Sequence, residues 1–269
     1  MSSATLRRWS GTAFIPPQPF RPYRLFLNGE EGVWYDPSDL STLFQDSAGT
    51  TPVTASGDPV GLMLDKSGND NHATQATSSK RPIYTEGSGL AWLEFDGVDD
   101  FLEFTQVISG TDPRSFIAAT NQDSYDSMNN PLFALQSSPS PSQGGDWTLL
   151  LEDDFAYLRI NGNSRFNYTD GTTPSAASVS SWRWSSARNA KSSYTSVRLN
   201  AVELTLNGGN TQDINTVNEG ISRIGSSPRQ NNSYFAGKYF GAILVASDIS
   251  DELTLQVENH LAAKSGVIL

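Results

Sequence analysis

The sequence predicts an all-β protein: a two-sheet antiparallel jelly-roll sandwich over residues 30–269, preceded by an extended arm at 1–29 and carrying one short C-terminal helix. Three observations lead there. Charged residues make up only 17% of the 269, while Gly, Ser, Thr and Asn are abundant, the balance expected of many short strands joined by turns. Short runs with an alternating or continuous apolar pattern recur between turn signals along most of the chain. The length buries a substantial core without the help of disulfides, since the chain has no cysteine.

The arm comes first. Pro16, Pro17, Pro19 and Pro22 restrict the backbone to extended geometry and argue against a helix there. Trp9, Phe14, Ile15, Phe20, Tyr23, Leu25, Phe26 and Leu27 would be costly to leave in water, so the arm is expected to lie against its own domain or a neighbouring subunit. Arg7, Arg8, Arg21 and Arg24 face no acid within the arm, giving it +4; of the chain's −11 the body then holds −15, from 29 acidic against 14 basic residues. An acidic body excludes phosphate-neutralising contact with nucleic acid, and the basic arm offers a docking segment for an acidic partner.

Strands are expected at 33–35, 62–65, 91–95, 101–104, 114–119, 131–135, 147–151, 156–160, 164–168, 180–186, 202–207, 221–224 and 239–247. Asn161-Gly162 and Asn207-Gly208 read as hairpin turns, because Asn-Gly tolerates the positive φ that a two-residue type I′ turn demands. The helix is expected from Ser250 as N-cap, with Asp251 and Glu252 in the first turn, Leu253, Val257 and Leu261 on one face, and Gly266 as the stop. No apolar run approaches the ~20 residues of a membrane span. The N-terminus lacks the apolar stretch of a secretory signal, so the protein is expected to be assembled in a cytoplasm.

Several motifs carry two readings. Glu94, Asp96 and Asp99 lie at the spacing of glycosidase carboxylates, and Glu94-Phe95-Asp96-Gly97-Val98-Asp99 resembles the Glu-x-Asp-x-x-Glu strand of laminarinase-type enzymes. It departs in its last acid and in Gly97, which interrupts the strand. The alternative is structural: Asp96-Gly97 starts a turn that Asp99 and Asp100 cap. The loop Asp65 to Ala73, with Asn69 and Asn71, reads as an ordered polar loop; calcium is conceivable there, but the regular EF-hand spacing is absent, so no cofactor or metal is predicted. His72 reads as an ordered loop residue, and with His260 it leaves little for a His-based metal site or triad.

Taken in order, residues 33–39, the 65–73 loop, 93–100, the strand ending at Asn207-Gly208, and Arg223-Ile224-Gly225 before 235–243 resemble the successive hallmarks of laminin-G-like, concanavalin A-like lectin domains. Residues 43–54 through His72-Ala73-Thr74-Gln75 are similar to a segment of tailed-bacteriophage proteins with lectin-like domains. The resemblance implies a non-catalytic, homo-oligomeric virion component, a head or tail decoration, fibre or collar protein, located in the particle. The arm residues Arg7, Arg8, Trp9, Phe14, Phe20 and Tyr23 would anchor it to other virion proteins. The alternatives are a receptor-binding protein for host-surface glycans and a glycan depolymerase using Glu94 and Asp96. For a lectin-like fold the candidate glycan contacts are Trp182, Arg183, Trp184, Asn231, Asn232 and Tyr234. Core packing competes for the tryptophans, because alternation turns Trp182 and Trp184 to one face.

Overall fold

A computed structural model describes residues 20–105, 107–108, 112–123, 131–135, 147–152, 155–160, 164–169, 177–184, 195–209, 221–227 and 233–269. In chain order the strands are β1 (Gly32–Tyr35), β2 (Leu43–Phe44), β3 (Leu62–Met63), β4 (Ala73–Thr74), β5 (Ile83–Gly87), β6 (Leu90–Asp96), β7 (Leu102–Thr105), β8 (Arg114–Gln122) and β9 (Pro131–Leu135). They continue as β10 (Trp147–Glu152), β11 (Phe155–Ile160), β12 (Ser164–Thr169), β13 (Ser178–Trp184), β14 (Thr195–Leu199), β15 (Val202–Glu203), β16 (Thr205–Gly209), β17 (Ile221–Ile224) and β18 (Ala236–Val245), followed by helix α1 (Asp251–Ser265). One sheet has the order β15-β14-β13-β8-β18-β6-β5, with β1 paired to β18; the other runs β16-β12-β11-β10-β9-β17-β7-β4-β3-β2. The two antiparallel sheets form a β-sandwich with jelly-roll character, as the sequence predicted.

Central strands of the first sheet are buried on both faces, which explains their continuous apolar runs. Phe116, Ala118, Ala242 and Leu244 point into the sandwich with Phe95, Phe133, Trp182 and Tyr239. Their alternates Ile117, Ala119, Ile243 and Val245 point the other way, under Val257, Leu261 and Ala262 of α1. Each fully buried aliphatic side chain stabilises by about 1.5–3 kcal/mol, so the helix is held chiefly by this second apolar layer. Its ends are the predicted ones: the Ser250 hydroxyl accepts from Leu253 N at 3.2 Å, and Gly266, at φ 74°, closes it by donating to Ala262 O. Among the described residues no helix is long and apolar enough to cross a membrane.

The arm differs from expectation where it is described. A short 3-10 helix occupies Pro22–Phe26, started by Pro22, whose fixed φ and missing N–H suit the first helical position. Leu25 and Phe26 are buried in the layer beneath α1, and Phe20 sits edge-on to His260. This end of the arm therefore packs on its own chain, with Tyr23 44% exposed. Arg7, Arg8, Trp9 and Phe14 lie outside the described residues.

One turn expectation also changes. Asn207-Gly208 lies inside β16: Gly208 pairs with Asn167 and Leu206 with Tyr168, leaving Asn207 as the extra residue of a bulge. The two-residue hairpin is instead Asn200-Ala201, between the paired Leu199 and Val202, with φ of 49° and 64°. Asn161-Gly162 lies outside the described residues.

The Asp96-Gly97 turn forms as predicted and Asp100 caps it, but its other capping carboxylate is Asp96 rather than Asp99. Asp96 Oδ1 accepts from Val98 N at 2.8 Å and Asp99 N at 3.3 Å, and Asp100 Oδ2 accepts from Asp96 N at 3.1 Å. Gly97 has φ 74°, and a Cβ there would stand 2.7 Å from that of Ala236. Burial, followed by the charges of Asp96 and Asp99, pushes the Asp100 carboxyl up to about 6.

Two measurements follow from these turns. Ala201→Gly relieves a left-handed alanine and is expected to stabilise by about 0.5–1 kcal/mol, raising the calorimetric midpoint by about 1–4 °C; a lower midpoint would show that the Ala201 methyl is needed for packing. Because Asp100 titrates higher folded than unfolded, its contribution to stability is lost as pH rises through 6. Asp100→Asn keeps an acceptor for Asp96 N without the charge. In urea melts it should gain about 1–3 kcal/mol at pH 7.5, and the gain should fade toward pH 4; a pH-independent difference would contradict this.

Candidate functional site

The site is built by the polar loop of residues 65–73, which grips the free edge of β1. Asp65 Oδ1 accepts from Trp34 N at 2.8 Å and from Ser67 N at 2.9 Å, and Asp65 Oδ2 from the Ser67 hydroxyl and Asn71 N. The amides of Asn69 and Asn71 donate to Gly32 O at 3.2 and 3.1 Å, and Tyr35 OH donates to Asn71 O. His72 Nδ1 accepts from Asp65 N at 3.1 Å, an ordered loop residue as expected. This arrangement spends the carboxylate on backbone and hydroxyl donors.

Gripping β1 fixes what leaves it. Asp36, Ser38, Asp39, Leu40 and Ser41 form one wall of a cleft of about 960 Å³. Lys66, from the gripping loop, reaches in beside them. The hairpin of β5 and β6, turning at Ser88-Gly89 with both φ positive, supplies Tyr84, Glu86, Gly87, Leu90 and Ala91. The last turn of α1 closes the cleft with Ala263 and Lys264.

Charge in the cleft is arranged pairwise. Lys66 Nζ lies 3.1 Å from Asp36 Oδ2 and 2.7 Å from Asp39 Oδ2, and it stacks over the Trp34 ring at 4.5 Å. Lys264 Nζ lies 3.3 Å from the same Asp36 oxygen and donates to the Ser38 hydroxyl at 2.6 Å. Burial pushes the Asp36 carboxyl up, but the Ser38 hydroxyl and both ammonium groups outweigh it and hold it below its ordinary 3.8. The Lys66 hydrogen bond, with that of Ser41, does the same for Asp39. Tyr84 is buried and donates to Glu86, and burial together with that carboxylate raises its phenol. His260 sits edge-on to Phe20 and Trp34 at 6.4 and 6.2 Å; burial, then Lys264, lowers its imidazole.

The other predicted residues fall elsewhere. Trp182 is 1% exposed and belongs to the sandwich core, so the packing reading holds and the glycan reading does not. Arg183 is also buried: it donates to Ile249 O at 2.7 Å and pairs with Asp251, anchoring the start of α1. Trp184 lies on β13 opposite Arg114, with its side chain outside the described residues, as are Asn231 and Asn232. Tyr234 bridges to Ser226 and is half-buried.

Glu94 and Asp96 do share a face, the one turned away from the sandwich core. Glu94 accepts the Trp92 indole N–H at 2.6 Å and stands opposite Lys238, while Asp96 holds its turn. The carboxylate oxygens of Asp96, Asp99 and Asp100 lie within 4.8 Å of one another, close enough to share a cation, and within the turn Asp96 and Asp100 already accept backbone amides.

Sequence reasoning missed Asp36, Asp39, Lys66, Glu86 and Lys264 as site residues. Asp36-Pro37-Ser38-Asp39 directly after a strand was a readable signal, two carboxylates at a strand exit. Its partners are dispersed through the chain.

No protein-family model matches the sequence, and no curated protein matches it significantly. Solved structures do. A GH54 α-L-arabinofuranosidase soaked with a cyclic sulfate inhibitor superposes with a TM-score of 0.59 at 11% identity, over 91% of this chain and 65% of that one. An arabinofuranosidase complexed with arabinofuranosyl-α-1,2-xylobiose gives 0.58 at 12%, over the same shares. Domain 4 of a GH43 extracellular arabinanase from Geobacillus stearothermophilus, in complex with arabinotriose, gives 0.51 at 12%, over 72% of this chain and 91% of that domain. The chain thus spans 65% of the arabinofuranosidases' length, and identity this low establishes the shared fold. These matches to glycoside hydrolases correct two expectations drawn from the sequence, that of a non-catalytic bacteriophage virion component and that of a protein without enzymatic activity.

Proposed function

We propose that this protein is a carbohydrate-active β-sandwich that takes a glycan in the cleft of Asp36, Asp39, Lys66, Glu86 and Lys264. The observation that carries the reading is the presetting of polar groups in that cleft. Hydroxyl-rich ligands need acceptors and donors held in place before binding, because ordering long side chains on binding costs about 0.5–1.5 kcal/mol each. Here two lysines are fixed on Asp36, and Asp39 is fixed by Lys66 and Ser41. The cleft volume is that of a small-ligand site, and Leu40, Leu90 and Ala91 give it an apolar side for sugar C–H groups. The fold shared with arabinofuranosidases and an arabinanase domain supports the choice of carbohydrate as ligand class.

The test is calorimetric titration of the full chain with arabinotriose and arabinofuranosyl-xylobiose. Asp39→Ala and Lys264→Met should each weaken binding by about tenfold or more, equivalent to about 1.4 kcal/mol. Asp36 and Asp39 stay ionised below their ordinary range, so affinity should hold from pH 7.5 down to about 4 and decline only below the ordinary carboxylate value. Undiminished affinity in both variants would place the sugar elsewhere.

A second reading, hydrolysis in the same cleft, is favoured by the convergence of three carboxylates on one lining. Glycoside hydrolysis uses a carboxylate pair, one as acid and one as base or nucleophile. Asp39, held ionised by Lys66 and Ser41, suits the base or nucleophile, and Glu86 is the second solvent-accessible carboxylate on the same lining. Asp39→Asn should then lower the release of reducing sugar by about a hundredfold or more with binding largely kept. Equal release by Asp39→Asn and the parent chain would remove Asp39 from the chemistry.

A further inference from the structure

We infer that the cleft selects neutral glycans and rejects those bearing carboxylate, sulfate or phosphate groups, with Glu86 Oε2 and the lone pairs that Ser41 and Lys66 leave on Asp39 receiving sugar hydroxyls. This rests on the cleft being the glycan site.

The argument is one of charge already committed. Three carboxylates line the cleft, Asp36, Asp39 and Glu86, against two ammonium groups, Lys66 and Lys264. Both ammonium groups contact Asp36 Oδ2, at 3.1 and 3.3 Å, and Lys66 also contacts Asp39 at 2.7 Å. Among the described residues, an anionic sugar entering here meets no uncommitted cation. To gain one it would have to draw a lysine from Asp36, which is 4% exposed and would then keep a single ammonium group, leaving a buried charge with half of its ionic compensation gone.

The chain as a whole adds to this bias, with a net charge of −11. Like-charge juxtaposition is a device for rejecting wrong partners rather than for tightening right ones. What remains on offer to a ligand is acceptor capacity. Asp39 presents a half-exposed carboxylate and Glu86 an exposed one, and carboxylates accept from neutral hydroxyls without needing a countercharge.

The recognition mode follows from the same lining. Among the described residues its one aromatic ring is Tyr84, which is 1% exposed and packed in the core. A sugar is therefore held here by hydrogen bonds and small aliphatic contacts rather than by stacking on a ring.

The experiment titrates the full chain with arabinotriose, xylotriose and lactose, and in parallel with trigalacturonate and 6′-sialyllactose. At least one neutral probe should bind, with affinity steady between about 50 and 500 mM salt, and the acidic probes should bind about thirtyfold more weakly or not at all. Asp39→Ala and Glu86→Ala, both at solvent-accessible positions, should each weaken the neutral probe while circular dichroism stays unchanged. An acidic probe that binds as tightly as lactose, or tighter with a steep loss in salt, would overturn the selectivity and leave the glycan site standing. Failure of every probe to bind would overturn the glycan reading of the cleft, and the selectivity with it.

Discussion

The grip of Asp65 on β1 is the constraint from which the site follows. β1 has only four residues and pairs with β18 along one edge, Gly32 against Val245 through Tyr35 against Ala242. Its other edge would be open, and an open edge leaves backbone donors and acceptors unsatisfied. The polar loop takes that role, with Asp65 on Trp34 N, Lys66 N on Trp34 O at 2.8 Å, and the Asn69 and Asn71 amides on Gly32 O. Gly32 itself is required by closeness: a Cβ there would stand 2.1 Å from Leu244 O. With β1 pinned on both edges its register cannot slip, and a slip of one residue would send Tyr35 out of the core and Asp36 into it. The same loop that pins β1 carries Lys66, so seating the strand and pairing Asp36 are one event.

How much of this was legible depended on whether the signal was local. The α1 boundaries were, because Ser250 and Gly266 act within one turn of themselves. So was the Asp96-Gly97 turn, whose capping carboxylates are neighbours in sequence. Asn207-Gly208 misled because a dipeptide preference competes with pairing: β12 runs past it, and a bulge at Asn207 accommodates it within the strand. The real hairpin at Asn200-Ala201 carries an alanine in a conformation that alanine disfavours, so no composition rule marks it.

The site was less legible for the same reason. Trp182-Arg183-Trp184 has the composition of a sugar-binding surface, yet the fold uses Trp182 to fill the sandwich and Arg183 to hold the helix. Composition tells which chemistry a side chain can do, while position tells whether that capacity is already spent. Asp36, Lys66, Glu86 and Lys264 come from four separate segments, and their meeting depends on the register of β1, the β5–β6 hairpin and α1 together.

The seating of α1 shows how energy and geometry divide between apolar and polar groups. Val257, Leu261 and Ala262 supply the stabilisation, because burying apolar surface is favourable in any orientation that achieves it. The ionic groups beneath the helix add little net energy after desolvation, but they tolerate one arrangement. Glu258, fully buried, accepts from the Ser181 hydroxyl at 2.7 Å and lies 3.2 Å from Arg198, while Arg183 holds Ile249 O and Asp251. Rotating the helix by one residue would leave Glu258 without those partners, at a cost of about 3–5 kcal/mol for a broken buried pair. Lys264 lies six residues further on, about 9 Å along the axis and about 240° around it, which turns it away from the sheet toward the exit of β1. The contact of Lys264 with Asp36 is therefore set by Glu258 and Arg183. A polar network that contributes little to stability fixes the charge pairing of the cleft.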